Sequence, residues 1–433
     1  EYTLFPYYTS DKIMESTETT GSKSIFQVQK KGEKHIWEPF SDRYEGRYEI
    51  TRNLYKNVYG NKVIFEEINH DLELSYQYQW SSSNKFGFVR TSTLLNNSTT
   101  EVEVSLLDGI QNIMPYGVES DLQNGTSNLV DAYKRSELEK ATGLGIYALS
   151  AIIVDKAEPS EALKANIAWS LGFDNPKYLL SSLQLKNFRK RRPIQEEVDV
   201  KAEKGAYFIN AEIELAPNSR KEWMIVANVN QNHSAVIRLI EEIRNKKNLP
   251  QFLKEDVEKG TRQLIELSAA ADGLQRTSDH QRDTRHFSNV LFNIMRGGIF
   301  DHNYQIEKAD FLSYILNANH SVFDDHAGQL EKLPDLFLLP QLKEMAQGSE
   351  DALFTRLCLE YLPLKFSRRH GDPSRPWNKF SINTRDEIDG SKILDYQGNW
   401  RDIFQNWEAL AYSYPEFMEN MIRKFLNATT FDG

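Results

Sequence analysis

The stretch Leu72-Glu73-Leu74-Ser75-Tyr76-Gln77-Tyr78-Gln79-Trp80 alternates apolar and polar residues without a break. In an extended strand, side chains two apart share a face. Leu72, Leu74, Tyr76, Tyr78 and Trp80 therefore build one wall, and Glu73, Ser75, Gln77 and Gln79 the other. An antiparallel strand with one dry face reads this way. The same beat returns in Leu163-Ala165-Ile167-Trp169-Leu171, in Tyr207-Ile209-Ala211-Ile213-Leu215 and in Trp223-Ile225-Ala227-Val229. Turn-forming clusters separate the strands at Tyr59-Gly60-Asn61, Ser82-Ser83-Asn84, Asn96-Asn97-Ser98 and Pro217-Asn218-Ser219. About a dozen such segments precede residue 230, which predicts a large antiparallel β-sandwich, too long for an immunoglobulin-sized unit.

The period then changes. Val236, Leu239, Ile240 and Ile243 follow helical spacing, with Asn232 or Ser234 as the cap and a break at Asn248-Leu249-Pro250. A second helical pattern runs from about Phe252 to Met295, and shorter ones follow to Leu426. Strands first and helices second predict separate domains rather than one interleaved sheet. The expected organisation is a β-sandwich over 1–230, a helical linker over 231–296 and a helical domain over 297–433.

With 52 basic and 62 acidic residues the chain carries a net charge of −10, which argues against nucleic acid as a partner because phosphate neutralisation needs a concentrated basic surface. The basic run Lys186–Arg192 reads as a solvated loop, since Pro193 and acidic residues follow at once. No apolar run is long enough to cross a bilayer. Compartment is left open, with the cytoplasm slightly favoured. The single cysteine, Cys358, excludes an intramolecular disulfide and reads as a buried thiol within LCLEYLPL. Walker, GxGxxG, CxxC and Gly-x-Ser-x-Gly signatures are absent, so no nucleotide or metal cofactor is expected.

Asn399–Leu410, NWRDIFQNWEAL, is the stretch richest in chemistry. As a helix it gathers Trp400, Ile403, Phe404, Trp407 and Leu410 on one face, with Arg401, Asp402, Gln405 and Glu408 opposite. Guanidinium, carboxylate and amide beside indoles can clamp sugar hydroxyls while a ring covers the pyranose face. An ordinary amphipathic helix gives the same pattern. The loop around Arg375, Trp377 and Asn378 holds similar groups between two prolines, and suits a sugar or an anion. Glycoside chemistry needs a proton donor and a group opposite it. The helical half offers Asp301, Glu307, Asp310, Asp324, Asp325, Asp372, Asp402 and Glu416. The clusters His320–His326 and Asp279–His286 match no metal-ligand spacing. The first reads as a polar loop and the second as the wet face of a helix.

Gly398-Asn399-Trp400-Arg401-Asp402-Ile403-Phe404-Gln405-Asn406 resembles a motif of the cellobiose phosphorylase-type glycoside phosphorylases, relatives of the six-hairpin α/α-toroid glycosidases. In that family a glycine, one variable residue and Arg-Asp-x-x-Gln-Asp open a toroid helix. Here one extra residue precedes the arginine, and Asn406 stands for the second aspartate. Tyr396 stands where the family carries an arginine six residues before the aspartate. Met295–Gly298 and Asp372–Asn378 are similar to stretches preceding the toroid.

The resemblance implies a supersandwich-like β-domain, a linker and a partial toroid. It also implies an oligosaccharide substrate held by Arg401, Asp402 and Gln405 with Trp400, Trp377 and Arg375, and inorganic phosphate as a co-substrate. A homodimer is an option. About 180 residues follow Phe252, roughly half of what twelve helices of ~12 residues with loops require. A fragment is therefore expected, with the family's general acid beyond Gly433. A non-catalytic carbohydrate-binding or scaffolding protein of the same architecture is the alternative.

Overall fold

The computed structural model describes residues 3–6, 10–30, 32–153, 162–245, 248–365, 386, 391–394 and 403–430. The chain forms two compact units, Glu1–Thr261 and Arg262–Gly433, divided within the helix Leu249–Ala270.

The first unit is built on two antiparallel sheets. The smaller runs, edge to edge, through Lys177–Leu179, Gly205–Leu215, Val102–Ile113, Gly21–Lys30 and Glu33–Trp37. The larger has nine strands: Asp199–Lys201, Lys134–Glu139, Leu144–Leu149, Lys164–Leu171, Arg220–Asn232, Gly87–Asn96, Leu74–Ser83, Val63–Asn69 and Ile50–Lys56. Three of the four apolar walls read from the alternation face one another, while the fourth, Leu163 to Leu171, turns Ile167 and Trp169 to the back of the large sheet and leaves Leu163 exposed. Leu72, Leu74, Tyr76, Tyr78 and Trp80 join Trp223, Ile225, Ala227 and Val229 of the large sheet. Against them lie Tyr207, Ile209, Ala211, Ile213 and Leu215 of the small one.

Two strands depart from simple alternation. Residues Ala165 to Trp169 are buried on both faces, as are Trp223 to Ala227. The helices His233–Asn245 and Leu249–Ala270 account for this. Their Val236, Leu249, Leu253 and Val257 cover Ile167, Trp169, Met224 and Val226 on the back of the large sheet. The back of the small sheet is covered by residues around Leu185, Phe188 and Ile194. The basic run expected as a solvated loop is thus partly a helix, Leu185–Arg189. Its Arg189 makes two hydrogen bonds, at 2.8 and 2.7 Å, to the buried Glu38. The apolar Leu185 and Phe188 draw the basic run onto the sheet.

Between the sheets lies a buried ion pair. Arg90 Nη1 and Nη2 donate to Asp108 Oδ2 and Oδ1 at 2.8 and 2.9 Å, and both side chains are wholly inaccessible. Asp108 also accepts from Ser24 Oγ at 2.6 Å, Tyr76 OH at 3.0 Å and Trp223 Nε1 at 2.6 Å. Ser24 and Asp108 belong to the small sheet, and Tyr76, Arg90 and Trp223 to the large one.

The second unit is mainly helical: His280–Gly297, Lys308–Ala318, His320–Leu330, Leu339–Gln347, Ala352–Glu360, Ile403–Ser413 and Met418–Asn427. Three starts are fixed by side-chain caps, Asp279, Asn319 and Asp351. His320–His326 is therefore helical rather than the expected loop. Asn319 caps it, Val322 and Leu330 are buried, and His326 stacks on Phe354 while bonding Asp351 at 3.1 Å. Cys358 is buried, and burial pushes its thiol up to about 12. Trp407 and Leu410 lie in the same core, as the helical reading of Asn399–Leu410 expects. Among the described residues no helix is long and apolar enough to cross a membrane.

Asp108→Ala strands a buried guanidinium, which typically costs about 3–5 kcal/mol. Urea unfolding should show that loss, whereas Arg90→Met combined with Asp108→Leu should recover most of it. Equal stability of wild type and the single variant would contradict this account.

Candidate functional site

The described residues that bring acid, base and aromatic groups together lie on the turn segment Ile299–Glu307 of the helical unit. Ile299–Phe300 pairs with Leu364–Lys365, and Gln305–Glu307 pairs with Leu336–Leu338. The chain reverses between them through a His302–Gln305 bridge. Asn303 sits there at φ +56°, a left-handed position that asparagine tolerates better than most residues. This turn sets Asp301, His302 and Glu307 on a common point.

Lys392, from a stretch ninety residues away, completes the group. Its Nζ lies 2.7 Å from Asp301 Oδ2, 2.5 Å from Glu307 Oε1 and 3.4 Å from His302 Nε2. His302 Nε2 is itself 3.4 Å from Asp301 and 3.2 Å from Glu307. Lys365 approaches the other oxygen of Asp301 at 3.4 Å. Asp301 is only 3% exposed, while His302 is half exposed. Burial alone would raise the Asp301 carboxyl. The Lys392 hydrogen bond and the charges of Lys392, His302 and Lys365 outweigh it and hold the group below the usual carboxylate range. Burial would lower the Lys392 ammonium, but its bonds to Asp301 and Glu307 raise it.

The arrangement therefore has a definite chemical character. Asp301 is an ionised acceptor rather than a proton donor, and Glu307 and His302 remain accessible beside it. Aromatic rings stand next to them. Phe300 stacks on Phe417 at 3.8 Å, Tyr304 stacks on Phe417 at 5.8 Å, and Tyr414 OH donates to Asn303 Oδ1 at 2.9 Å. Asp301, His302 and Glu307 could serve together as metal ligands. The Lys392 ammonium already occupies the point they converge on, so a divalent ion would have to displace it. Asp310 lies close by in the first turn of its helix and accepts from the buried Tyr361 OH at 2.5 Å.

Of the carboxylates picked out in the sequence, the structure gathers Asp301 and Glu307. Asp324 and Asp325 lie on the helix His320–Leu330, and Glu416 in the turn Pro415–Phe417. Trp400, Arg401, Asp402, Asp372, Arg375 and Trp377 lie outside the described residues. Gln405 is on the helix Ile403–Ser413, its side chain outside them too. Sequence reasoning singled out neither His302 nor Lys392. No periodic signal links residues so far apart; the turn at 302–305 and the reach of the Lys392 side chain bring them together.

Residues 300–363 match the model of Glycoside hydrolase family 149 insertion domain 1. The turn and both acidic residues, Asp301 and Glu307, thus lie in a segment similar to a domain of a glycoside hydrolase family. No curated protein sequence matches the chain. Among solved structures, a bacterial glucoamylase complexed with acarbose aligns at 10% identity and a TM-score of 0.37, over 75% of this chain and 45% of its own. A protein described as a kojibiose phosphorylase, from the human microbiome, aligns at 10% identity and a TM-score of 0.33, over 73% of this chain and 40% of its own. A family GH92 α-mannosidase from Bacteroides thetaiotaomicron aligns at 6% identity and a TM-score of 0.28, over 56% and 28%. The chain spans less than half the length of each.

The depressed Asp301 carboxyl makes the helical unit acid-sensitive. A group whose folded pKa lies below its unfolded value contributes stability above the unfolded value and loses it as pH falls through the folded one. Thermal unfolding from about pH 6 to about pH 3 should therefore fall more steeply for wild type than for Asp301→Asn. Parallel curves would exclude the ion pair as a stabilising contact.

Proposed function

We propose that the chain is part of a carbohydrate-active enzyme, a glycoside phosphorylase or inverting glycosidase acting on oligosaccharides. The observation that carries this reading is the match of residues 300–363 to a domain of a glycoside hydrolase family, in the segment holding Asp301, His302 and Glu307. On this reading the helical unit is a portion of an α/α toroid, and 300–363 is inserted into it. Arg401, Asp402 and Gln405 hold the sugar, with Trp400, Trp377 and Arg375 around it. The sandwich acts as a structural platform. Inorganic phosphate serves as co-substrate if the enzyme is a phosphorylase, and no metal is needed.

Two substitutions within the motif favour a second reading, a carbohydrate-binding protein without turnover. Asn406 and Tyr396 replace the charged residues of the resembled family. Turnover of any disaccharide by the protein would eliminate that alternative.

Calorimetric titration with short β-glucans tests the proposal directly. Wild type is expected to bind, and Asp402→Ala to lose about tenfold or more, as removal of a charged hydrogen-bond partner implies. Indistinguishable binding by the two proteins would remove the sugar role of Asp402. Addition of phosphate then separates the chemistries: a sugar 1-phosphate marks phosphorolysis, and free sugar alone marks hydrolysis.

A further inference from the structure

The nine-stranded sheet ends on Ile50–Lys56, and among the described residues only one side of this strand is paired, with Val63–Asn69. The outward-pointing backbone groups, on alternate residues of the strand, are a template for another strand. Large apolar side chains are exposed on and just beyond the same strand: Leu54 at 66%, Tyr55 at 48% and Val58 at 54%. Sheet edges are commonly blunted by prolines, bulges or charged side chains; Ile50–Lys56 has no proline and an unbroken register with its neighbour, and of its two cations Arg52 is tied to Glu67.

We infer that this edge pairs with the same edge of a second copy of the chain, antiparallel about Asn53, into one continuous sheet. The charges select the occupant. In that register Arg52 stands opposite Leu54 of the second copy, Thr51 opposite Tyr55, and Ile50 opposite Lys56. No like charges meet directly, and the Thr–Tyr pair is a favourable cross-strand combination. The Arg52 guanidinium is already balanced within its own chain by Glu67 at 2.8 Å and Asp42 at 3.6 Å. The small sheet offers a contrasting edge. Its strand Gly205–Leu215 is paired by Lys177–Leu179 only as far as Asn210, which leaves Ala211–Leu215 open among the described residues. Self-pairing about Ile213 would set Glu212 against Glu214 of the other copy, and like charges directly opposite are destabilising. One open edge repels its own copy and the other accepts it.

The test uses the whole chain and analytical ultracentrifugation. Wild type is expected to dimerise. Leu54→Lys places a cation opposite Arg52 at two symmetry-related positions, and should weaken the dimer about tenfold or more. Leu54→Glu changes the same exposed side chain but places a carboxylate there, so it should preserve or tighten the dimer. A monomeric wild type, as expected if the edge serves a foreign strand or none, would overturn the inference. So would a dimer that responds alike to both substitutions.

Discussion

A single buried carboxylate governs the sandwich. Asp108 sits between the two sheets and accepts from Arg90, Ser24, Tyr76 and Trp223, and more distantly from Ser92 Oγ at 3.4 Å. Ionised groups so deeply buried are tolerated only when their hydrogen-bonding capacity is met. Each partner must therefore arrive from its own strand at one register. A slip of one residue in the strand carrying Ser24, Tyr76, Arg90 or Trp223 would turn that group to the opposite face. Apolar burial drives the two sheets together, but it is non-directional. The Asp108 cluster supplies the directional element, fixing which rows of side chains oppose one another. The flanking helices then seal the back of the large sheet.

In the helical unit the comparable organiser is the turn segment 299–307. It receives Leu364–Lys365 along one arm and Leu336–Leu338 along the other. Lys392 attaches through the acidic group, and Tyr414 and Phe417 attach through Asn303 and Phe300. Four stretches distant in sequence thus meet on nine residues. Structure and chemistry coincide here, because Asp301 and Glu307, which tie Lys392 to the turn, are also polar groups of the candidate site. The turn thus carries both duties at once.

The sandwich was largely legible because period-two alternation reports directly on a one-sided core. The walls led by Tyr76, Tyr207 and Trp223 could be assigned before any coordinates. The reading weakened where a second layer intervened: Trp169 was visible as a buried residue, but its helical cover of Val236, Leu253 and Val257 was not. Phe188 shows the opposite case, a single ring that turns an apparently solvated basic run into a packed helix. In the helical unit the periodic signal put Trp407 and Leu410 on one face without deciding between core and site, and the structure places both in the core. The acidic group was only half legible. Asp301 and Glu307 stood among eight candidate carboxylates, and nothing local distinguished them. The deciding partner, Lys392, comes from elsewhere in the chain, and long-range contacts leave no trace in local spacing.

Cys358 has a practical consequence. It is the only thiol in the chain, it is fully buried in the helical core, and burial holds it protonated far above neutral pH. Thiolates rather than thiols attack alkylating reagents. Modification must therefore wait for the surrounding helices to open, and its rate follows that local opening. The protein thus carries an intrinsic clock for fluctuations of its second unit, readable without any introduced label.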